Sequence, residues 1–236
     1  MNDMQHHDIA ANVRRILGEI PESVTLVAAA KTRSADEVAQ VLVAGVRSIG
    51  ENYLQEAEQL RAQLGDRPGV RWHMIGHLQR NKAKRAVRLF DLIETVDSVR
   101  LAAEIAKHGR ALGKTQEILI ELNSAAEPGK SGVLPGDVQP LVREILSMDH
   151  LRIRGLMTMG PLTADPEESR PWFRVAREEF QSLREMLRAS EETAEILSMG
   201  MSGSYHVAIE EGATAVRVGT ALFGPRESQI MKEALE

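Results

Sequence analysis

The 236-residue chain contains no cysteine, which excludes disulfides, thiolate metal sites and thiol nucleophiles together. Aromatic residues make up only 3% of it, so aliphatic side chains must fill the core. No apolar run approaches the roughly 20 residues that a membrane-spanning helix needs. The opening segment, Met1 to Ile20, carries charges within its only periodic stretch and does not read as a secretory signal. A cytoplasmic location is therefore expected. The formal net charge of -5 argues against nonspecific nucleic-acid binding, which requires basic surface to displace counterions. No Pro/Gly/Ser-rich linker, composition break or internal repeat divides the chain, so residues 1–236 are expected to form one domain.

What is present is an alternation. Apolar strand-like runs occur at Val24–Ala30, Ser48–Asn52, Arg71–Gly76, Leu92–Asp97, Glu117–Asn123, Arg152–Met159, Ile196–Ser202 and Ala215–Gly219. Between them lie helix-periodic segments such as Val38, Leu42, Val46 and Phe173, Ala176, Phe180, Leu183, Leu187. Ser34 with Glu37 reads as a capping box, and Ser98 as an N-cap. Eight strands, each feeding a helix, predict an α/β fold: a closed (β/α)8 TIM barrel, with a doubly wound open sheet as the other architecture. A further helix before the first strand is expected to close the bottom of the barrel.

In such a barrel the chemistry collects where strands end. Lys31, Glu51, Asn52, His73, His77, Asp97, Asn123, Thr158, Ser202, Gly219 and Thr220 all fall at strand exits. Lys31 is then either a solvated strand end or a reactive amine. The glycine-bearing segments Ser198–Ser204 and Val218–Gly224 follow the last two strands, where they either turn the chain or present backbone N–H groups to a phosphate. Arg217 lies between valines that face the helices, so alternation aims its guanidinium inward, toward a protein carboxylate or a ligand atom. An amine, a phosphate cradle and an inward donor in one mouth together describe pyridoxal 5'-phosphate (PLP), with the lysine forming an imine to its aldehyde.

The segments AAAKTRS, IGENYLQEAEQL, WHMIGHLQRNKAK, TVDS, RGLMTM, LSMGMS and VRVGTALFG occur in that order along nearly the whole chain. They closely resemble the pyridoxal phosphate homeostasis protein family, also called proline synthetase co-transcribed homologs. The resemblance implies a monomeric barrel of the alanine racemase N-terminal type with PLP as a Schiff base on Lys31. It implies a phosphate held by Ser202, Gly219 and Thr220, Arg217 beside the pyridine nitrogen, and Asn52, His73, Met157 and Ser198 around the pocket. It further implies a role in storing PLP and delivering it to apo PLP-dependent enzymes, influencing amino-acid and keto-acid metabolism, with no established reaction. Where the family usually has an aspartate after the LSMGMS segment, this chain has Ser204, which can also cap a helix.

A non-catalytic carrier and a low-activity racemase or lyase remain the competing readings. Arginine facing the pyridine nitrogen discourages ring protonation and so disfavours strong transaminase chemistry. A racemase needs a second acid/base, and Tyr53 and Tyr205 are the only tyrosines available. A Schiff-base aldolase would also use a barrel lysine and a phosphate site, but without a pyridine partner. His73 and His77 fall on a strand and on the loop after it, so no shared metal is expected.

Overall fold

A computed structural model describes residues 8–161, 163–188 and 192–225. Eight parallel strands pair in sequence order and close into a barrel. They are β1 (Thr25–Ala29), β2 (Ser48–Glu51), β3 (Arg71–Met74), β4 (Leu92–Val96), β5 (Gln116–Glu121), β6 (Leu151–Met157), β7 (Ile196–Ser198) and β8 (Ala215–Val218). Parallel strands need crossovers, and each of the seven carries a helix: α2 (Ala35–Val43), α3 (Leu54–Leu64), α4 (Ala83–Leu89), α5 (Val99–Leu112), α6 (Val138–Ile145), α7 (Arg170–Arg188) and α8 (Tyr205–Glu210). A short α9 (Thr220–Phe223) follows β8. Covered by helices outside and packed inside, β4 and β8 are buried along their whole length.

The start signals act as expected. Ser34 accepts from the Glu37 N–H while the Glu37 carboxylate accepts from Ser34, and the Ser98 hydroxyl accepts from Leu101. The apolar stripe of α7, Phe173 to Leu187, is buried against the sheet as one face. Strand β7 stops three residues into its apolar run because Gly200 adopts φ +90°, and a side chain there would meet the Cβ of Ala208 at 2.5 Å. The chain is thereby turned tightly into α8.

Two expectations change. The additional helix, α1 (Ile9–Glu19), does not close the barrel's bottom; it packs against α2 and α9 in the outer ring. With only four residues, α9 cannot cover the β8–β1 side, and Ile9, Val13 and Ile16 of α1 bury their stripe there. Ser204 stands at the start of α8 but does not cap it; its hydroxyl accepts from the Met201 N–H at 3.2 Å.

Two buried clusters result. The large one lies between strands and helices; Leu92, Leu119 and Met157 form a small one of their own, on the opposite face of the strands by alternation. All eight strand ends converge on one rim, which is where the site is built. Among the described residues no helix is long and apolar enough to cross a membrane.

Candidate functional site

Lys31 leaves the barrel two residues after β1, in a turn anchored by the Ala30 N–H donating to the Gly50 carbonyl at 2.9 Å. The next residue, Thr32, has φ +64°, an unusual conformation for a β-branched side chain. Its N–H donates to the Glu56 carboxylate at 2.8 Å, and the capped start of α2 holds the other side of the turn. Lys31 is half-buried, with its amine 5.1 Å from the centre of the Tyr53 ring.

Across the mouth, the turns after β7 and β8 meet. The Ser202 hydroxyl accepts from the backbone N–H groups of Gly219 at 3.2 Å and Ala221 at 3.3 Å. Two backbone donors and a hydroxyl therefore converge at one point, an arrangement that suits a phosphate oxygen. Asn52 adds a polar side chain at the end of β2, where Gly76 packs so closely that a Cβ would lie 2.4 Å from the Asn52 carbonyl.

Arg217 points inward from β8 and is buried. Its Nη1 donates to the Ser198 hydroxyl at 2.6 Å and its Nη2 to the Thr158 carbonyl at 2.8 Å. Ser198 in turn donates to Glu94 Oε2 at 2.6 Å, and the other oxygen of Glu94 meets His73 Nδ1 at 2.7 Å. Burial works against the Glu94 carboxylate, yet the His73 hydrogen bond and the nearby charges hold it below the usual carboxylate range. Of the two partners expected for Arg217, the protein carboxylate is present as Glu94, 3.9 Å from Nη1, and Arg217 also lines a cavity.

That cavity has a volume of about 370 Å³ and brings together Lys31, Asn52, Ser202, Arg217, Gly219 and Thr220. His73, Met157 and Ser198 do not line it. His73 and Ser198 stand behind Arg217 in the polar chain, and Met157 lies in the small cluster with Leu92 and Leu119. Pro161, Thr163, Pro166 and Ser169, from the segment between β6 and α7, form a further wall. His77 meets Ser131 rather than His73, and the described residues contain no group of three or more potential metal ligands.

Glu94 and Glu121 went unnoticed in the sequence, although each is an acid inside a run of apolar strand residues, a pattern that marks a buried partner or a function. Glu121 points to the barrel interior with one oxygen unpartnered, and burial, reinforced by Asp97 and opposed by Arg217, pushes its carboxyl up to about 7. The wall between β6 and α7 left no such signal, because its chain path depends on tertiary packing.

The family model described as "Alanine racemase, N-terminal domain" matches residues 5–227. A pyridoxal phosphate homeostasis protein of Pseudomonas aeruginosa is 37% identical over 223 residues, 93% of each chain. One from Aquifex aeolicus is 39% identical over 203 residues, covering 86% of this chain and 87% of that one. The chain belongs to the pyridoxal phosphate homeostasis protein family. The solved structure of the family member PipY of Synechococcus elongatus with PLP bound superposes with a TM-score of 0.83 at 35% identity, covering 92% of this chain and all of that one. An alanine racemase of Clostridium difficile gives a TM-score of 0.76 at 16% identity over 60% of its own length, which shows a shared barrel. The superposition on PipY covers nearly the whole of this chain, so the two share the barrel fold.

Proposed function

We propose that this chain binds PLP as a Schiff base on Lys31 and serves intracellular PLP homeostasis by storing the cofactor and delivering it to apo PLP-dependent enzymes. The observation that carries this reading is that one cavity is lined by the half-buried Lys31 amine, the Ser202–Gly219 turn and the buried Arg217. Its volume of about 370 Å³ lies in the range of about 300–1,000 Å³ usual for small-molecule sites. Bound there, PLP would supply an electrophilic aldehyde. Lys31 supplies the nucleophile, the N–H groups of Gly219 and Ala221 with Ser202 and Thr220 hold the phosphate, and Arg217 faces the pyridine ring. An arginine in that place keeps the ring nitrogen unprotonated and blunts the electron sink that transamination requires.

The carrier reading is further supported by where the tyrosines lie. The Tyr205 hydroxyl donates to Glu19 of α1, and the Tyr53 ring rests against Lys31 itself. Neither is placed as a second acid/base across the cavity from the lysine, which racemisation would need.

The test is borohydride reduction of PLP-loaded protein followed by peptide mass spectrometry. The expected result is loss of the visible band and a pyridoxyl-phosphate adduct on the peptide holding Lys31. An adduct on another lysine, or none, refutes the assignment. Turnover of single-enantiomer amino acids at ordinary enzyme rates would replace the carrier with a racemase.

A further inference from the structure

A barrel interior of this kind is ordinarily filled by layers of apolar side chains. Here four strands contribute polar groups to one continuous chain: His73 from β3, Glu94 from β4, Ser198 from β7 and Arg217 from β8. The proton positions follow from the groups themselves. A guanidinium only donates, so the Ser198 oxygen accepts from Arg217 Nη1, and its single hydrogen goes to Glu94 Oε2. Glu94 must accept there. Its other oxygen is 2.7 Å from His73 Nδ1, and Arg217 Nη1 itself stands 3.9 Å from Oε2.

Glu94 is completely buried and does not line the cavity, so it reaches a ligand only through Arg217. We infer that Glu94 is a positioning residue that, through the Ser198 hydroxyl, holds the Arg217 guanidinium against the cavity and offsets its charge. This rests on the PLP reading above and deepens it: the electrostatic potential felt by the cofactor is that of a neutral pair rather than of a bare arginine. Of the other titratable groups, His73 contacts Glu94, Glu121 of β5 acts on Arg217 and is itself acted on by Asp97, and Lys31 lines the same cavity as Arg217.

Glu94→Gln keeps the side chain's shape but removes the offsetting charge. A cationic group on the ligand side then loses its proton more easily. With an effective dielectric near 20 and a separation on the order of 10 Å, the shift is about one pH unit. The experiment follows the visible band of PLP-loaded protein against pH in the parent, Glu94→Gln and Ser198→Ala. The inference expects the band to titrate about one unit lower in Glu94→Gln. Ser198→Ala, which deletes the bridge without changing any charge, is expected to release PLP roughly tenfold faster. It also serves if Glu94→Gln fails to fold. A Glu94→Gln titration matching the parent, or unchanged PLP release in Ser198→Ala, overturns the inference while leaving PLP binding intact. A parent that acquires no borohydride-sensitive band overturns the PLP reading and this inference with it.

Discussion

The Arg33 guanidinium lies 5.1 Å from the centre of the Phe223 ring and donates to the Phe223 carbonyl at 3.5 Å and to the carbonyl of Gly224. Its charge is also paired with Glu37 at 3.1 Å, and only 8% of its side chain is exposed. Arg33 follows Lys31 by two residues, and Phe223 ends the helix that starts beside Gly219. One side chain thereby ties the lysine turn to the turn proposed to hold phosphate.

Arg33→Met keeps most of the apolar stem and removes these ties. The expected outcome is a fall of about tenfold in apparent PLP affinity together with a loss of about 1–3 kcal/mol in stability, since hydrogen bonds to a charged donor are worth that much. Fluorescence titration with PLP and urea unfolding measure the two effects. Unchanged affinity would show that the turns are placed independently.

Glu51 is fully buried with both carboxylate oxygens unpartnered, and burial, with a smaller push from Glu56, raises its carboxyl to about 8. The folded protein therefore holds a proton that the unfolded chain releases near 4.5. Between pH 4.5 and 8 this group makes stability fall as pH rises, by up to about 1.4 kcal/mol per pH unit, and above 8 the loss is complete. Glu51→Gln removes that slope. Urea midpoints for parent and variant should diverge from pH 5 to pH 8 in the variant's favour, and parallel curves would sink the prediction.

Gly200 and Gly203 lie three residues apart but should respond differently to alanine. At Gly200, φ is +90° and the new methyl would lie 2.5 Å from the Ala208 Cβ, so a loss of about 2–3 kcal/mol is expected. At Gly203 nothing lies within 4 Å and φ is ordinary, so the change should stay within about 0.5 kcal/mol. Thermal unfolding of both variants is the check; equal losses would mean that the tight turn into α8 is not constrained as described.

Ser202→Ala removes the hydroxyl on which the Gly219 and Ala221 N–H groups converge. If that point takes the phosphate, affinity for PLP should drop about tenfold while affinity for pyridoxal, which lacks the phosphate, stays the same. Isothermal titration with both compounds separates the cases. An equal drop for both would move the phosphate elsewhere.

Much of this molecule is legible in the linear chain. The eight apolar runs became the eight strands, shortened by one to four residues at their ends where polar exits begin, as at Lys31 and Ser202. The caps at Ser34 and Ser98 form from neighbours three residues away, so their partners were visible locally. Ser204 misled because it has two local acceptor roles, and the turn geometry at Gly200 gives its hydroxyl the Met201 N–H in place of the helix start. The helix before β1 was legible as a helix, but its place in the outer ring depended on how little of the barrel α9 covers.

Strand alternation by itself determined that Arg217 points inward and that Lys31, Asn52, Ser202, Gly219 and Thr220 share a rim, because parallel strands in a closed barrel all end on the same side. Only the tertiary structure decided what stands behind that rim. Glu94 meets Ser198 from 104 residues away and Arg33 meets Phe223 from 190. Such contacts are set by barrel closure and register, and no local period in the chain encodes them.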